Sequence, residues 1–205
     1  FIKIMTFSPE CFIEQNNRNV STKPIKGTRP ISKNVNENKK IINELINSDK
    51  DKAENLMIVD LLRNDFGRNC EYGSVNVENL FNIETFSNVH HLVSTVNGTI
   101  SETSDVYNLL KGCFPGGSIT GAPKIRGMQI IDELESSNRG VYCGTIGYIS
   151  GNSKSNLNIA IRTIFADDHT LYFWGGGGIV YDSEVDLEYK ETLDKVRPLL
   201  ELFKA

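Results

Sequence analysis

Apolar and polar positions alternate at the start of the chain, with Ile2 and Ile4 in FIKIMTF and then CFIE beyond Pro9. This predicts two short strands joined at a turn. A polar stretch follows, and another extended piece runs into Pro24. From Glu37 to Asp65 the period changes: Ile41, Ile42, Leu45 and Ile46, then Ala53, Leu56, Met57 and Leu61, recur at three and four residues. That is the spacing of one long helix or two, ending near Gly67. SVNVENLFNIETF alternates again, and HHLVSTVNGTI continues as strand to an expected turn at Asn97-Gly98. Ser104 to Phe114 reads as a helix with Ser104 as its N-cap. FPGGSITGAPK is a glycine-rich loop entering a helix, with Pro123 in a first turn that tolerates its missing N–H and Ile125, Met128, Ile131 and Leu134 as the apolar positions. VYCGTIGYIS, LNIAIRTIF and LYFWGGGGIV are three successive strands, and a last helix from about Ser183 toward Phe203 is expected to kink or split at Pro198. The mixture predicts an α+β fold with extensive antiparallel sheet.

At 205 residues, 39% of them hydrophobic, the chain is large enough for one continuous core and short for two. Its net charge of −4 provides no basic field for nucleic acid or anionic lipid, so an anionic ligand has to be held by a few placed groups. Cys11, Cys70, Cys113 and Cys143 form no C-x-x-C pair, which points to reduced thiols in a cytoplasmic protein and away from zinc. No apolar run approaches the length that spans a bilayer, so no membrane partner is expected. The opening FIKIMTF is strand-like from its first residue and has no initiating Met, which leads us to expect a piece of a longer chain.

Several residues can carry chemistry, and each has a plain structural alternative. Glu188 and Glu191, three apart, share one face of the last helix and either converge on one target or simply form an exposed acidic face. Glu54 stands before an apolar stretch that carries it inward, and a buried carboxylate needs a partner. Mg²⁺ takes one or two protein carboxylates together with ligand and water oxygens, so Glu54 and Glu191 are candidates to hold it. The glycines of FPGGSITGAPK and Gly175–Gly178 let backbone N–H groups approach an anion, or merely make turns; Ala-Pro-Lys after Gly121 excludes a P-loop. His90 and His91 point to opposite faces of their strand, so at most one enters a given site. Lys26 in PIKGTRP is either a solvated charge or, if deprotonated, a nucleophile.

The blocks SPECF, PIKGTRP, AENLMIVDLLRNDFGR, VHHLVSTV, FPGGSITGAPKIRGMQIIDELE, CGTIGY, IAIRTI and GGGGIVYDSEVDLEYKETLDK occur in order along nearly the whole chain. Together they resemble the chorismate-utilising enzymes. The resemblance implies two packed antiparallel sheets flanked by helices, a single catalytic domain over residues 1–205, and coverage of roughly the carboxy-terminal half of such enzymes. PIKGT is similar to the para-aminobenzoate branch, where the lysine is the nucleophile; the anthranilate branch has alanine there. The resemblance further implies chorismate as substrate, ammonia supplied by a glutamine amidotransferase subunit or domain, and Mg²⁺ held by Glu54 and Glu191. It assigns catalytic roles to Lys26, Glu10 and His91, and substrate contacts to Gly27, Thr28, Ser118, Arg162, Gly178, Glu188 and Lys195. Anthranilate formation, isochorismate-type chemistry and a catalytically silent module that keeps the fold are the competing readings.

Overall fold

In the computed structural model, residues 1–181 and 183–203 are described. Ten strands and six helices follow the order β1 (Lys3–Thr6), β2 (Cys11–Asn16), β3 (Asn19–Lys23), β4 (Ile25–Pro30), α1 (Val35–Ile46), α2 (Asp49–Gly67), β5 (Asn76–Thr85), β6 (Val89–Thr99), α3 (Val106–Cys113), α4 (Gly117–Thr120), α5 (Lys124–Leu134), β7 (Thr145–Ser150), β8 (Lys154–Ile159), β9 (Thr163–Ala166), β10 (Leu171–Phe173) and α6 (Val185–Glu201). All strand pairings are antiparallel. The fold is α+β, as expected.

Strand β6 organises the larger sheet. One of its edges takes β5, while the other takes β4 at His90 and His91 and then β3 from Val96 onward, so β3 and β4 lie end to end. The sheet continues from β3 through β2 and β8 to β7. Burial runs unbroken from His90 to Val96, because both faces of β6 are covered. Helix α2 packs against it, and Ile58, Val59, Leu62 and Phe66 of that helix join Val96 and Leu157 in the core. Full burial of each such side chain contributes roughly 1.5–3 kcal/mol. Asn34 caps α1 and Ser48 caps α2, which divides the long apolar-periodic segment into two helices.

Five local expectations are corrected. Strands β1 and β2 do not form a hairpin: β1 joins β9 and β10 in a separate three-stranded sheet. LNIAIRTIF is likewise two strands, β8 and β9, parted at Arg162, whose φ of 47 breaks the extended run. Asn97-Gly98 lies inside β6, with the hairpin turn placed instead between Thr85 and Val89. Gly98 is required there by close approach, since a Cβ on it would lie 2.8 Å from Cys70 Sγ. Asp105, not Ser104, caps α3, because the Ser104 hydroxyl is committed to Asn69 Oδ1. Finally, α6 runs through Pro198 without a break. All four cysteines are free thiols, and burial pushes Cys113 up to about 12.

Candidate active site

The candidate residues come from separate parts of the chain, from Glu10 before β2 to Lys195 in α6, and the fold brings most of them to one region. Lys26 stands in β4 beside Gly27, whose φ of 80 accompanies an irregular register with β6. A Cβ on Gly27 would lie 2.8 Å from Leu45 Cδ1 and 2.9 Å from Asp51 Cγ, so the strand presses against α1 and α2 and only glycine fits. Glu54 lies one turn along α2 from its start. The loop after β10 threads between these residues and α6. A methyl group on Gly178 would be 3.6 Å from both Lys26 Nζ and Glu54 Oε2, and one on Gly177 would be 3.2 Å from Glu188 Oε2 and 3.9 Å from Lys195 Nζ. Gly177 and Gly178 therefore form a bare backbone cradle with amines and carboxylates around it, while Gly175 and Gly176 press against Val196 and Tyr142.

Glu10 enters from the residue before β2 and is 7% exposed. Burial raises its carboxyl above the ordinary range, while the Ser118 hydroxyl and the charges of Lys26 and Lys195 act in the opposite direction. Ser118 reaches it because Gly116 and Gly117 allow the loop to press onto Ile159 of β8 and Leu61 of α2. The loop is clasped at its far end by Lys124, which donates to Asp65 Oδ2 at 2.6 Å and to the Cys113 carbonyl at 2.8 Å.

The two histidines take different partners. His91 Nδ1 is 2.8 Å from Thr28 Oγ1, its ring meets Phe86 edge-on, and burial with the nearby Arg162 charge drives it down to about 4. His90 instead bonds Thr85 and faces Asn38 of α1. Arg162 is half-buried, its guanidinium makes no ion pair among the described residues, and burial lowers it from its usual value. An unpaired, half-desolvated guanidinium is a ready receptor for a carboxylate.

The acids of α2 and α6 differ in how they are held. Burial raises the Glu54 carboxyl, partly offset by Lys26 and Lys50, and it has no hydrogen bond or ion pair among the described residues. Glu188 accepts from Ser183 Oγ at 2.6 Å and from Lys50 Nζ at 3.5 Å. Glu191 pairs with Lys195 Nζ at 2.6 Å; burial raises its carboxyl, but the bond and charge of Lys195, with Lys50 and Lys26, hold it below the ordinary value. Among the described residues no set of three or more His, Cys, Asp or Glu side chains converges for a metal. The donor chemistry nonetheless suits Mg²⁺, with hard carboxylate oxygens, Glu54 unpaired, and Glu191 held only by an exchangeable lysine.

Sequence reasoning passed over two features. Lys50 precedes Glu54 by one helical turn, and that spacing was the available signal. Tyr142 stacks on Trp174 with centroids 6.1 Å apart, and its hydroxyl would meet a Cβ on Gly176 at 2.8 Å. Nothing in the sequence pattern links those two rings. Surface recesses of about 450 and 760 Å³ lie elsewhere, around Glu14 and Asn97 and around Arg18 and Tyr107. In the second, Arg18 is already bound to Glu71 and the Ile100 carbonyl.

Bare glycine backbone among lysines and carboxylates, on two antiparallel sheets with helices, is an arrangement able to receive a small anion. The chain belongs to the chorismate binding enzyme family, whose model matches residues 1–201. It is 50% identical over 197 residues to aminodeoxychorismate synthase component 1 of Salmonella typhimurium, covering 96% of this chain and 43% of that protein. It is also 43% identical over 199 residues to anthranilate synthase component 1 of Aquifex aeolicus, covering 97% of this chain and 40% of that one. The crystal structure of anthranilate synthase component I from Streptococcus pneumoniae matches with a TM-score of 0.85 at 40% identity, over 96% of this chain and 43% of that chain. The menaquinone-specific isochorismate synthase of Escherichia coli, at 21% identity, shares the fold with a TM-score of 0.88, over 99% of this chain and 46% of its own. The chain thus spans less than half the length of these relatives. No helix among the described residues is long and apolar enough to cross a membrane.

Proposed function

We propose that this site aminates chorismate to 4-amino-4-deoxychorismate, with ammonia delivered by a glutamine amidotransferase, in para-aminobenzoate and folate synthesis. The observation that carries this reading is the convergence of Lys26 Nζ and Glu54 Oε2 on the glycine cradle at Gly178. Alanine at position 26 would leave no amine at that point.

Chorismate lies in the cradle with its enolpyruvyl carboxylate on Arg162 and Lys195. Glu54 and Glu191 would hold Mg²⁺, which would supply positive charge for the ring carboxylate. The free amine of Lys26 attacks C2, the double bond shifts, and the C4 hydroxyl leaves as water on taking a proton from Glu10. Burial keeps that carboxyl protonated to higher pH than an exposed glutamate, as a general acid requires. Ammonia then attacks C4, the double bond shifts back, and the C2–N bond to Lys26 breaks. The enolpyruvyl group stays on the ring. One difficult displacement becomes two easier ones.

Incubating the protein with chorismate, Mg²⁺ and ammonium at mildly alkaline pH, with products identified by chromatography and mass spectrometry, tests the reading. Aminodeoxychorismate without pyruvate is expected. Anthranilate with pyruvate would move the chain to the branch of its anthranilate synthase relatives, and chorismate returned unchanged would favour a silent module.

A further inference from the structure

Lys50 has no part in the chemistry above, yet it sits among the acids of the site. It opens α2, one helical turn before Glu54, so both side chains leave the same face of the helix. Its ammonium is 3.5 Å from Glu188 Oε1, an oxygen also held by Ser183 Oγ at 2.6 Å, and the other oxygen of Glu188 is left facing Gly177. Its charge also acts on Glu54 and Glu191. Lys195 is occupied by Glu191 and the Gly176 carbonyl, and Lys26, which shares Gly178 with Glu54, is committed to the chemistry above. Among the described residues Lys50 is thus the ammonium that contacts Glu188, stands one helical turn from Glu54 and takes no part in the cradle. Its side chain is 51% exposed, which leaves it free to withdraw into solvent.

We propose that Lys50 is the resident counter-cation of Glu54, Glu188 and Glu191, and that it sets the affinity of the site for a divalent ion by competing for the same carboxylates. The inference rests on the reading of Glu54 and Glu191 as metal ligands. A divalent ion entering beside a fixed ammonium meets direct repulsion, so Lys50 has to leave as the ion arrives, and every ion bound bears that cost. In the ion-free protein Lys50 holds the acids together; in the loaded protein its charge is redundant. The competition favours occupancy when a dianionic substrate adds its own negative charge.

Mg²⁺ binding measured by calorimetry, and Mn²⁺ binding by electron paramagnetic resonance, test this in the wild-type protein and in Lys50→Gln, Lys50→Arg and Lys52→Gln, each with and without chorismate. Lys50→Gln is expected to bind both ions about ten-fold more tightly at low ionic strength, with the gain shrinking as salt is added. Lys50→Arg should match wild type. Lys52→Gln loses the same charge from the same helix without contacting the carboxylates, and should change affinity less than about two-fold. Without metal, Lys50→Gln should melt below wild type, and Mg²⁺ should raise its melting temperature by more. Equal or weaker ion binding by a folded Lys50→Gln, with wild type binding normally, would overturn the inference and leave the metal reading standing. Absence of ion binding in wild type and every variant, even with chorismate, would overturn both.

Discussion

Thr28 Oγ1 and His91 Nδ1 face each other at 2.8 Å across neighbouring strands, and this contact fixes the orientation of a buried, neutral imidazole. Burial and Arg162 take His91 from 6.5 down to about 4, so the folded protein binds its proton less tightly than the unfolded chain does. The resulting stabilisation is complete above about pH 6.5 and is lost as pH falls toward 4, amounting to about 3 kcal/mol. Urea unfolding of wild type and His91→Gln at pH 7.5 and pH 4.5 should show the difference between the two proteins narrowing at the lower pH. A constant difference would mean that His91 is not the group responsible.

Lys26→Ala should keep the thermal stability of the wild type, because among the described residues the amine has no hydrogen bond or ion pair to lose, and should eliminate any mass adduct with chorismate. Glu10→Gln removes the buried acid and is expected to lower kcat by ~10²–10⁴-fold with a smaller change in KM. Intact-protein mass spectrometry and steady-state rates distinguish the two roles. An adduct surviving in Lys26→Ala would rule that lysine out as the nucleophile.

Two glycines of the site should respond differently to the same substitution. Gly27→Ala puts a Cβ 2.8 Å from Leu45 at φ 80 and is expected to destabilise the fold by ~1–3 kcal/mol. Gly178→Ala meets only ordinary contact distances to Lys26 and Glu54, so it should melt normally while blocking chorismate, read as a loss of the ligand-induced thermal shift. Equal melting losses in the two variants would remove the assignment of Gly178 as substrate backbone.

Asp65 is 1% exposed and bonded to Lys124, which also closes the Cys113 to Lys124 loop that presents Ser118 to Glu10. Removing one charge leaves the other buried alone, so Lys124→Met should cost ~3–5 kcal/mol by urea unfolding. Replacing the pair together by Asp65→Leu and Lys124→Met should recover most of that stability. If the double variant also regains full activity, the clasp is dispensable for placing Ser118.

Several parts of the fold could be read from local pattern. The apolar spacing of Ile41 to Leu61 gave helices, because one helical face must be buried whatever it packs against. Alternation gave β2, β5 and β6 for the corresponding reason in strands. Errors arose where distant residues decided the outcome. Asn97-Gly98 carries turn chemistry, but the Cys70 sulfur beside Gly98 calls for a bare backbone within a long strand. Ile2 and Ile4 signal a strand without naming its partner, and β1 found β9, not β2.

By its residues alone the chain determined the order of its motifs, its element types and a short list of acids, lysines and glycines capable of anion chemistry. Only the tertiary structure decided which of them meet. Lys26 and Glu54 share the cradle at Gly178, His91 takes Thr28 while His90 takes Thr85, and Lys50 is drawn in among the carboxylates. The physical reason is range. Helix and strand periods are set by neighbours a few residues away, whereas burial, charge and hydrogen-bond partners at the site are contributed by segments that come together only when the sheets and helices close on their core.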